Sequence, residues 1–221
     1  RILELVKLYN SDQTSYYRSS EVEAVIHKAL NYWFTAKPVC LNWWYNQIGI
    51  PKTLGTVFIL FEKQLTPVEK QNAITVMENA KFGMTGQNKV WLAGNVMVRA
   101  LLQNDYELVK MARDTIASEI VTGGAEGIKD DWCFHQHGAQ QQFGNYGLSF
   151  VSGMSFFSGL FSGTSLAFDD KQLSILSTLI DKGYRWVIWK GMMDVNALGR
   201  QLFHHAPVHL SLIHISEPTR P

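Results

Sequence analysis

This sequence of 221 residues has few cysteines, no large excess of positive or negative charge, and no long uninterrupted stretch of apolar residues. Two cysteines, Cys40 and Cys133, exclude a disulfide framework, although one bridge between them stays open. Lysine and arginine total 20 against 19 acidic residues, which gives no support for nucleic-acid binding through a strong global field. Residues 147–168 carry no charge, but half of them are Gly, Ser or Thr, so a membrane span is not expected.

Apolar residues recur at helical spacing along most of the chain, and no strand-like alternation of comparable length accompanies them. With 46% hydrophobic and 18% charged residues, the chain can bury a substantial core and is not disordered. A helix start is predicted where Thr66 can cap the helix, Pro67 suits its first position and Glu69 can close a capping box. The pattern predicts helices over residues 21–34, 54–61, 67–80, 90–102, 105–120, 148–161, 171–182 and 184–190. Short helices joined by turns indicate an all-α fold of stacked antiparallel helical hairpins.

The stretch 122–147 is rich in glycine, glutamine and histidine and has weak periodicity, which predicts a long loop. Loops of this length in compact domains often carry function. A solvated loop without chemistry is one interpretation. Another is a metal site at His135 and His137, although no nearby thiolate and no customary ligand spacing accompany these histidines.

Two further interpretations of the same loop involve proton transfer. Asp130 and Asp131 could supply the acid and the base of an inverting glycosidase, although adjacent carboxylates usually point apart. Alternatively, His137 and Tyr146 could exchange protons with a substrate, helped by flexible glycines that let the backbone approach a ligand. The residues of the loop leave all four interpretations open.

Seven short motifs are spread along the chain. They are Asn42-Trp43-Trp44, Ile48-Gly49-Ile50-Pro51, Thr85-Gly86-Gln87-Asn88, Gln136-His137-Gly138, Gly144-Asn145-Tyr146-Gly147, Gly183-Tyr184-Arg185-Trp186 and Gly199-Arg200. In this order they resemble polysaccharide lyase family 8, which contains chondroitin, hyaluronate and xanthan lyases. The similarity extends over residues 32–203, and several motifs in register are more specific than any one alone.

The resemblance implies an incomplete α/α toroid, which in the family precedes large β-sandwich domains that are not expected in this fragment. Residues 1–208 are expected to form part of the catalytic toroid domain, and residues 209–221 a tail unrelated to the family. The resemblance also implies a secreted or periplasmic protein whose partner is an acidic glycosaminoglycan. No metal, cofactor, nucleic-acid partner or membrane partner is expected.

The implied reaction is β-elimination at a uronic acid of a chondroitin-type or hyaluronan-type polymer, which leaves an unsaturated sugar at the new non-reducing end. By resemblance, Asn88 would hold the uronate carboxylate, and Tyr146 would act first as base and then as acid. His137 would assist at the same face, and Arg200 would lie beside the tyrosine. The chemistry is coherent, because an amide donor can stabilise the developing enolate-like charge and a guanidinium can stabilise a phenolate.

For substrate binding, the resemblance implies that Trp43 and Trp44 form an aromatic patch that positions the sugar chain, with Asn46 in the same cleft. Indole faces pack well on the apolar faces of sugar rings. Two alternatives from other functional classes stay open. One is a non-catalytic carbohydrate-binding toroid, and the other is an inverting glycoside hydrolase, which would need two opposed carboxylates.

Overall fold

The computed structural model describes residues 1–200, which divide into two compact units. The first unit contains residues 1–83 and 91–113, and the second contains residues 84–90 and 114–200. The predicted tail over residues 209–221 lies outside the described residues.

Helices dominate the described residues, as the periodicity predicted. The α-helices are α1 (Ile2–Asn10), α2 (Ser20–Ala36), α3 (Ile50–Leu60), α4 (Pro67–Met77), α5 (Gly86–Gln103), α6 (Tyr106–Ala117), α7 (Leu148–Phe161), α8 (Asp170–Thr178) and α9 (Arg185–Val187). Three π-helical turns, Tyr45–Gly49, Phe143–Gly147 and Leu179–Tyr184, adjoin α3, α7 and α9. The all-α prediction is confirmed.

The prediction of a helix over residues 184–190 is wrong at its C-terminal end. After α9 the chain forms strand β3 (Ile188–Trp189), which pairs antiparallel with β4 (Met192–Met193). Lys190 and Gly191, the two residues between them, have positive φ angles of 49° and 77°. Two central residues with positive φ suit a two-residue hairpin turn, so the chain reverses instead of continuing the helix.

The core of the first unit is built by α1, α2, α3 and α4. Helix α1 packs against α2 and α3, and α3 packs against α4. The rings of Phe34 on α2 and Phe58 on α3 stack with their centroids 6.0 Å apart. The apolar face predicted for α3 is buried, because Leu54, Val57 and Phe58 all point inward.

The start of α4 confirms the predicted capping box. The side chain of Thr66 accepts from the backbone N–H of Glu69, and the Glu69 carboxylate accepts from the backbone N–H of Thr66 at 2.9 Å. Glu69 is nevertheless buried, and its Oε1 also lies 2.8 Å from Nδ1 of His27 on α2 and accepts from Asn31. Burial alone would raise the pKa of this carboxyl, but the hydrogen bonds from Thr66 and His27 hold that pKa below its ordinary value of 4.5.

Glu69→Gln is expected to lower the free energy of unfolding by about 1–3 kcal/mol at neutral pH, because hydrogen bonds to a buried charge are lost. The difference from wild type should be complete above pH 4.5 and shrink as the pH falls, since a lowered folded-state pKa contributes stability only while the carboxylate is charged. Urea denaturation across this range measures it. The exposed Glu78→Gln control at the end of α4 should change stability by less than about 0.5 kcal/mol. An equal loss in both variants would contradict the assignment.

The predicted loop 122–147 contains more structure than its composition suggested. Strands β1 (Gly127–Ile128) and β2 (Phe134–His135) pair antiparallel, and the stretch ends in the π-helical turn Phe143–Gly147. Phe134 is buried and its ring lies 5.0 Å from that of Phe150 on α7. The loop is therefore anchored on an apolar core rather than solvated throughout.

The single disulfide that the sequence left open is not formed. Both cysteines are free thiols, and each is half-buried. Within residues 1–200, no helix is both long enough and apolar enough to cross a membrane.

Candidate active site

Tyr146 lies in the π-helical turn Phe143–Gly147, at the entry to α7. The hydroxyl of the buried Tyr184 donates to the carbonyl of Phe143 at 3.1 Å and so ties this turn to the Leu179–Tyr184 segment. A Cβ at Gly147 would lie 2.6 Å from the Tyr184 oxygen, so only glycine allows the approach. Tyr184 thus contacts the turn that carries Tyr146 at two points.

Three of the four predicted catalytic residues meet at the phenolic oxygen of Tyr146. Nη2 of Arg200 donates to this oxygen at 2.8 Å, and Nε2 of His137 lies 3.1 Å from it. The imidazole meets the Tyr146 ring edge to face, with centroids 5.0 Å apart. Tyr146 is only 6% exposed, whereas His137 and Arg200 are exposed. A phenolic oxygen with a permanent cation on one side and an imidazole on the other can exchange a proton and stabilise a negative charge.

Arg200 reaches Tyr146 because glycines allow two backbone segments to touch. A Cβ at Gly144 would lie 2.7 Å from Cα of Leu198 and 2.8 Å from Sδ of Met193. Gly199 has a φ of 62°, and a Cβ there would overlap the side-chain oxygen of Gln142. The segment with Leu198 and Gly199, which leads to Arg200, therefore packs directly against the π-helical turn.

Asn88 belongs to the same unit and sits in the first turn of α5. It is not the cap of that helix, because α5 begins two residues earlier, at Gly86. Asn88 is 6% exposed, and its Oδ1 has no hydrogen-bond partner within residues 1–200. Both polar atoms of the neighbouring Gln87 side chain also lack a hydrogen-bond partner in this part of the chain. Leaving such atoms unpaired costs free energy, and functional sites are where that cost is tolerated.

The three predicted sugar-binding residues belong to the first unit. Trp43 is 42% exposed, so its indole is accessible. Trp44 is half-buried and packs edge to face on Tyr45 and Trp91, with centroids 5.3 and 5.5 Å away.

The Asn46 side chain stabilises a local turn of the backbone. Its Oδ1 accepts from the backbone N–H of Cys40 at 2.9 Å, and its Nδ2 donates to the Cys40 carbonyl at 2.7 Å. The amide therefore closes the turn before the Tyr45–Gly49 segment, and its role in binding sugar stays a prediction.

The alternative interpretations of the loop find little support in the geometry. No group of three or more His, Cys, Asp and Glu side chains in residues 1–200 is placed to hold a metal ion. Asp131 accepts from the backbone N–H of Cys133 at 2.9 Å, and this bond holds the pKa of the carboxyl below its ordinary value. A carboxylate bound into its own turn in this way is poorly suited to taking up protons.

Sequence analysis missed Glu126, whose carboxylate contacts the residues on either side of His137. It lies in the glycine-rich stretch 122–128, where no periodicity or motif distinguishes it. Gln136 was part of a recognised motif but had no assigned role. Its side chain accepts from the backbone N–H of Gln87, next to Asn88.

The sequence profile of the N-terminal α-helical domain of polysaccharide lyase family 8 matches residues 1–206. Chondroitinase-AC of Pedobacter heparinus is 30% identical over 201 residues, which cover 89% of this chain and 29% of the relative. Xanthan lyase of Bacillus sp. strain GL1 is 26% identical, with 86% of this chain and 22% of the relative covered. Hyaluronate lyase of Thermasporomyces composti is 27% identical, with 75% and 22% covered.

Among solved structures, one of chondroitinase AC lyase, studied in complexes with oligosaccharides, superimposes with a TM-score of 0.82 at 30% identity. The match covers 91% of this chain and 31% of that structure. The predicted fold class, part of an α-helical toroid, is confirmed by this similarity. The chain spans less than a third of the length of these relatives.

Proposed function

Because the chain belongs to polysaccharide lyase family 8, we propose that it forms part of the catalytic helical domain of a lyase acting on uronic-acid glycosaminoglycans of the chondroitin or hyaluronan type. The observation that carries the proposal is the phenolic oxygen of Tyr146, placed between the Arg200 guanidinium and the His137 imidazole. Such a polymer is found outside the cytoplasm, so the enzyme would be secreted or periplasmic.

Tyr146 is the proposed base. A tyrosine removes a carbon-bound proton only as the phenolate, and the phenolate needs a positive charge nearby. Arg200 supplies that charge in the form of an N–H donor at 2.8 Å, and a guanidinium stays protonated throughout the physiological pH range. His137, at 3.1 Å, can accept the phenolic proton before the reaction and help to orient the ring.

Asn88 is the proposed partner of the uronate carboxylate. The proton on C5 is only weakly acidic while the adjacent carboxylate carries its full negative charge. A hydrogen-bond donor on that carboxylate stabilises the extra charge that develops as the proton leaves. The buried position of Asn88 makes such a bond stronger than it would be in water.

The elimination balances with these residues alone. The Tyr146 phenolate takes the C5 proton, and the C–H electron pair forms the double bond between C4 and C5. The bond from C4 to the glycosidic oxygen breaks, and that oxygen receives the proton from Tyr146. The tyrosine thereby returns to the phenolate and acts as both base and acid.

The function is tested with the full-length protein and purified chondroitin and hyaluronan. Elimination produces new reducing ends together with ultraviolet absorbance from the conjugated double bond. An inverting hydrolase would produce reducing ends without that absorbance, and a binding module would produce neither. Either of the last two results, obtained with folded protein, would refute the lyase proposal.

Trp43 offers a separate test of polymer binding. Trp43→Ala is expected to raise KM for the polymer about 5- to 30-fold with kcat nearly unchanged, because an exposed indole contributes about 1–2 kcal/mol to sugar contact. Trp43 is preferred to Trp44, whose removal would also disturb the packing on Trp91. Steady-state kinetics on long polymer measure the effect. Tyr32→Ala, which removes another exposed aromatic side chain from the same unit, should leave KM unchanged, and a similar rise there would argue against a specific role for Trp43.

A further inference from the structure

The side chain of Glu126 is the centre of a hydrogen-bond network in the second unit. Its Oε1 accepts from the backbone N–H of Gly138 at 3.0 Å. Its Oε2 accepts from the hydroxyl of Thr85 at 2.5 Å and from Nε2 of Gln136. A single carboxylate therefore satisfies three donors that come from two distant parts of the sequence.

Gln136 extends this network to the start of α5. It is 1% exposed, and its Oε1 accepts from the backbone N–H of Gln87 at 2.9 Å. The first N–H groups of a helix lack partners within the helix, so this bond satisfies one of them from outside. Gly86 makes the approach possible, since a Cβ there would overlap Oε1 of Gln136.

The same network surrounds His137. Gln136 and Gly138, its two chain neighbours, are both held by Glu126. His137 itself has a φ of 59°, a left-handed conformation that costs a residue with a Cβ about 1–2 kcal/mol. Strained conformations persist only where the surroundings enforce them. Here the backbone N–H of Gln136 donates to the Gln140 carbonyl at 3.1 Å, and Glu126 holds both the Gln136 side chain and the Gly138 N–H.

We infer that Glu126 is a positioning residue, which holds His137 against Tyr146 and fixes the first turn of α5, where Asn88 lies. It acts through the backbone N–H of Gly138 and through the side chain of Gln136. This inference rests on the proposed function, because it assigns Glu126 to the same site.

The test uses Glu126→Gln in the full-length protein. The amide has the same shape but only one acceptor oxygen, so it opposes at least one of the three donors with an N–H group. We expect kcat for elimination to fall about 10- to 100-fold, with KM within about threefold of wild type, because displaced catalytic groups affect the transition state most. If this variant does not accumulate as folded protein, Glu126→Asp keeps the charge, is too short to reach all three donors, and serves the same test.

Glu69→Gln is the matched control, since it makes the same change at another carboxylate with several hydrogen-bond donors, one that is fully buried and lies in the first unit. It should lower the melting temperature and leave kcat unchanged. If kcat fell in both variants in proportion to their loss of melting temperature, the inference would be overturned. An unchanged kcat in Glu126→Gln would overturn it as well.

A crystal structure of Glu126→Gln provides a readout that does not depend on activity. We expect His137 to leave the left-handed conformation and its Nε2 to move out of hydrogen-bond distance from the Tyr146 oxygen. An unmoved His137 would overturn the inference. If the wild-type protein shows no elimination while His137 moves in the variant, the positioning role stands and the proposed function fails.

Discussion

Tyr146→Phe should lower kcat for elimination by about 1,000-fold, within the range that a positioned acid or base contributes, while affinity for the polymer stays close to wild type. The substitution removes one oxygen and keeps the ring, and that oxygen is the atom on which Arg200 and His137 converge at 2.8 and 3.1 Å. Phenylalanine at position 146 has no atom that can take the C5 proton. The Arg200 guanidinium cannot replace the oxygen, because it does not lose its own proton at physiological pH.

The measurement combines absorbance kinetics at saturating polymer with a direct binding assay. Tyr9→Phe is the matched control, because Tyr9 is also buried and its hydroxyl donates to Glu23 at 2.5 Å in the first unit. The control should lose some stability and no turnover. Turnover by Tyr146→Phe within about tenfold of wild type, a barrier change of only about 1.4 kcal/mol, would contradict the assignment of Tyr146 as base.

Asn88→Ala should lower kcat by about 100- to 1,000-fold, the loss typical of removing one preorganised donor from a developing negative charge. KM should change much less, because the carboxylate is already charged in the ground state and the donor gains most as charge accumulates in the transition state. The side chain is buried in the first turn of α5, and its Oδ1 has no partner within residues 1–200. Removing the Asn88 side chain therefore breaks no hydrogen bond of Oδ1 within those residues.

Asn95→Ala is the control for this prediction. Asn95 lies on the same helix, is buried, and donates from Nδ2 to the carbonyl of Ile48 at 3.1 Å. Its loss should lower the melting temperature without reducing kcat of the folded enzyme. If instead Asn88→Ala lost only stability and kept its kcat, a structural role for Asn88 would be favoured over contact with the uronate.

The features that could be predicted from the sequence are those decided by interactions between residues a few positions apart. The start of α4 was predictable from Thr66, Pro67 and Glu69, because a capping box is made by residues three positions apart. The buried face of α3 was predictable because helical spacing alone brings Leu54, Val57 and Phe58 together. The candidate catalytic residues came from the family resemblance that the separated motifs carry, which implied that they lie together but not the distances or backbone contacts that bring them there.

The sequence by itself thus determined the helical class and several helix starts, and its resemblance to the family named the candidate catalytic residues. The resemblance implied that Arg200 lies beside Tyr146, 54 positions away, but only the tertiary structure showed the contact at 2.8 Å and the close approach of Gly144 to Leu198 on which it depends. Only the tertiary structure gave Glu126 a role, since its hydrogen-bond donors come from separate parts of the chain. The physical reason is that helix propensity and capping act within a few residues, whereas hydrogen bonds across a core depend on backbone paths that local patterns do not encode.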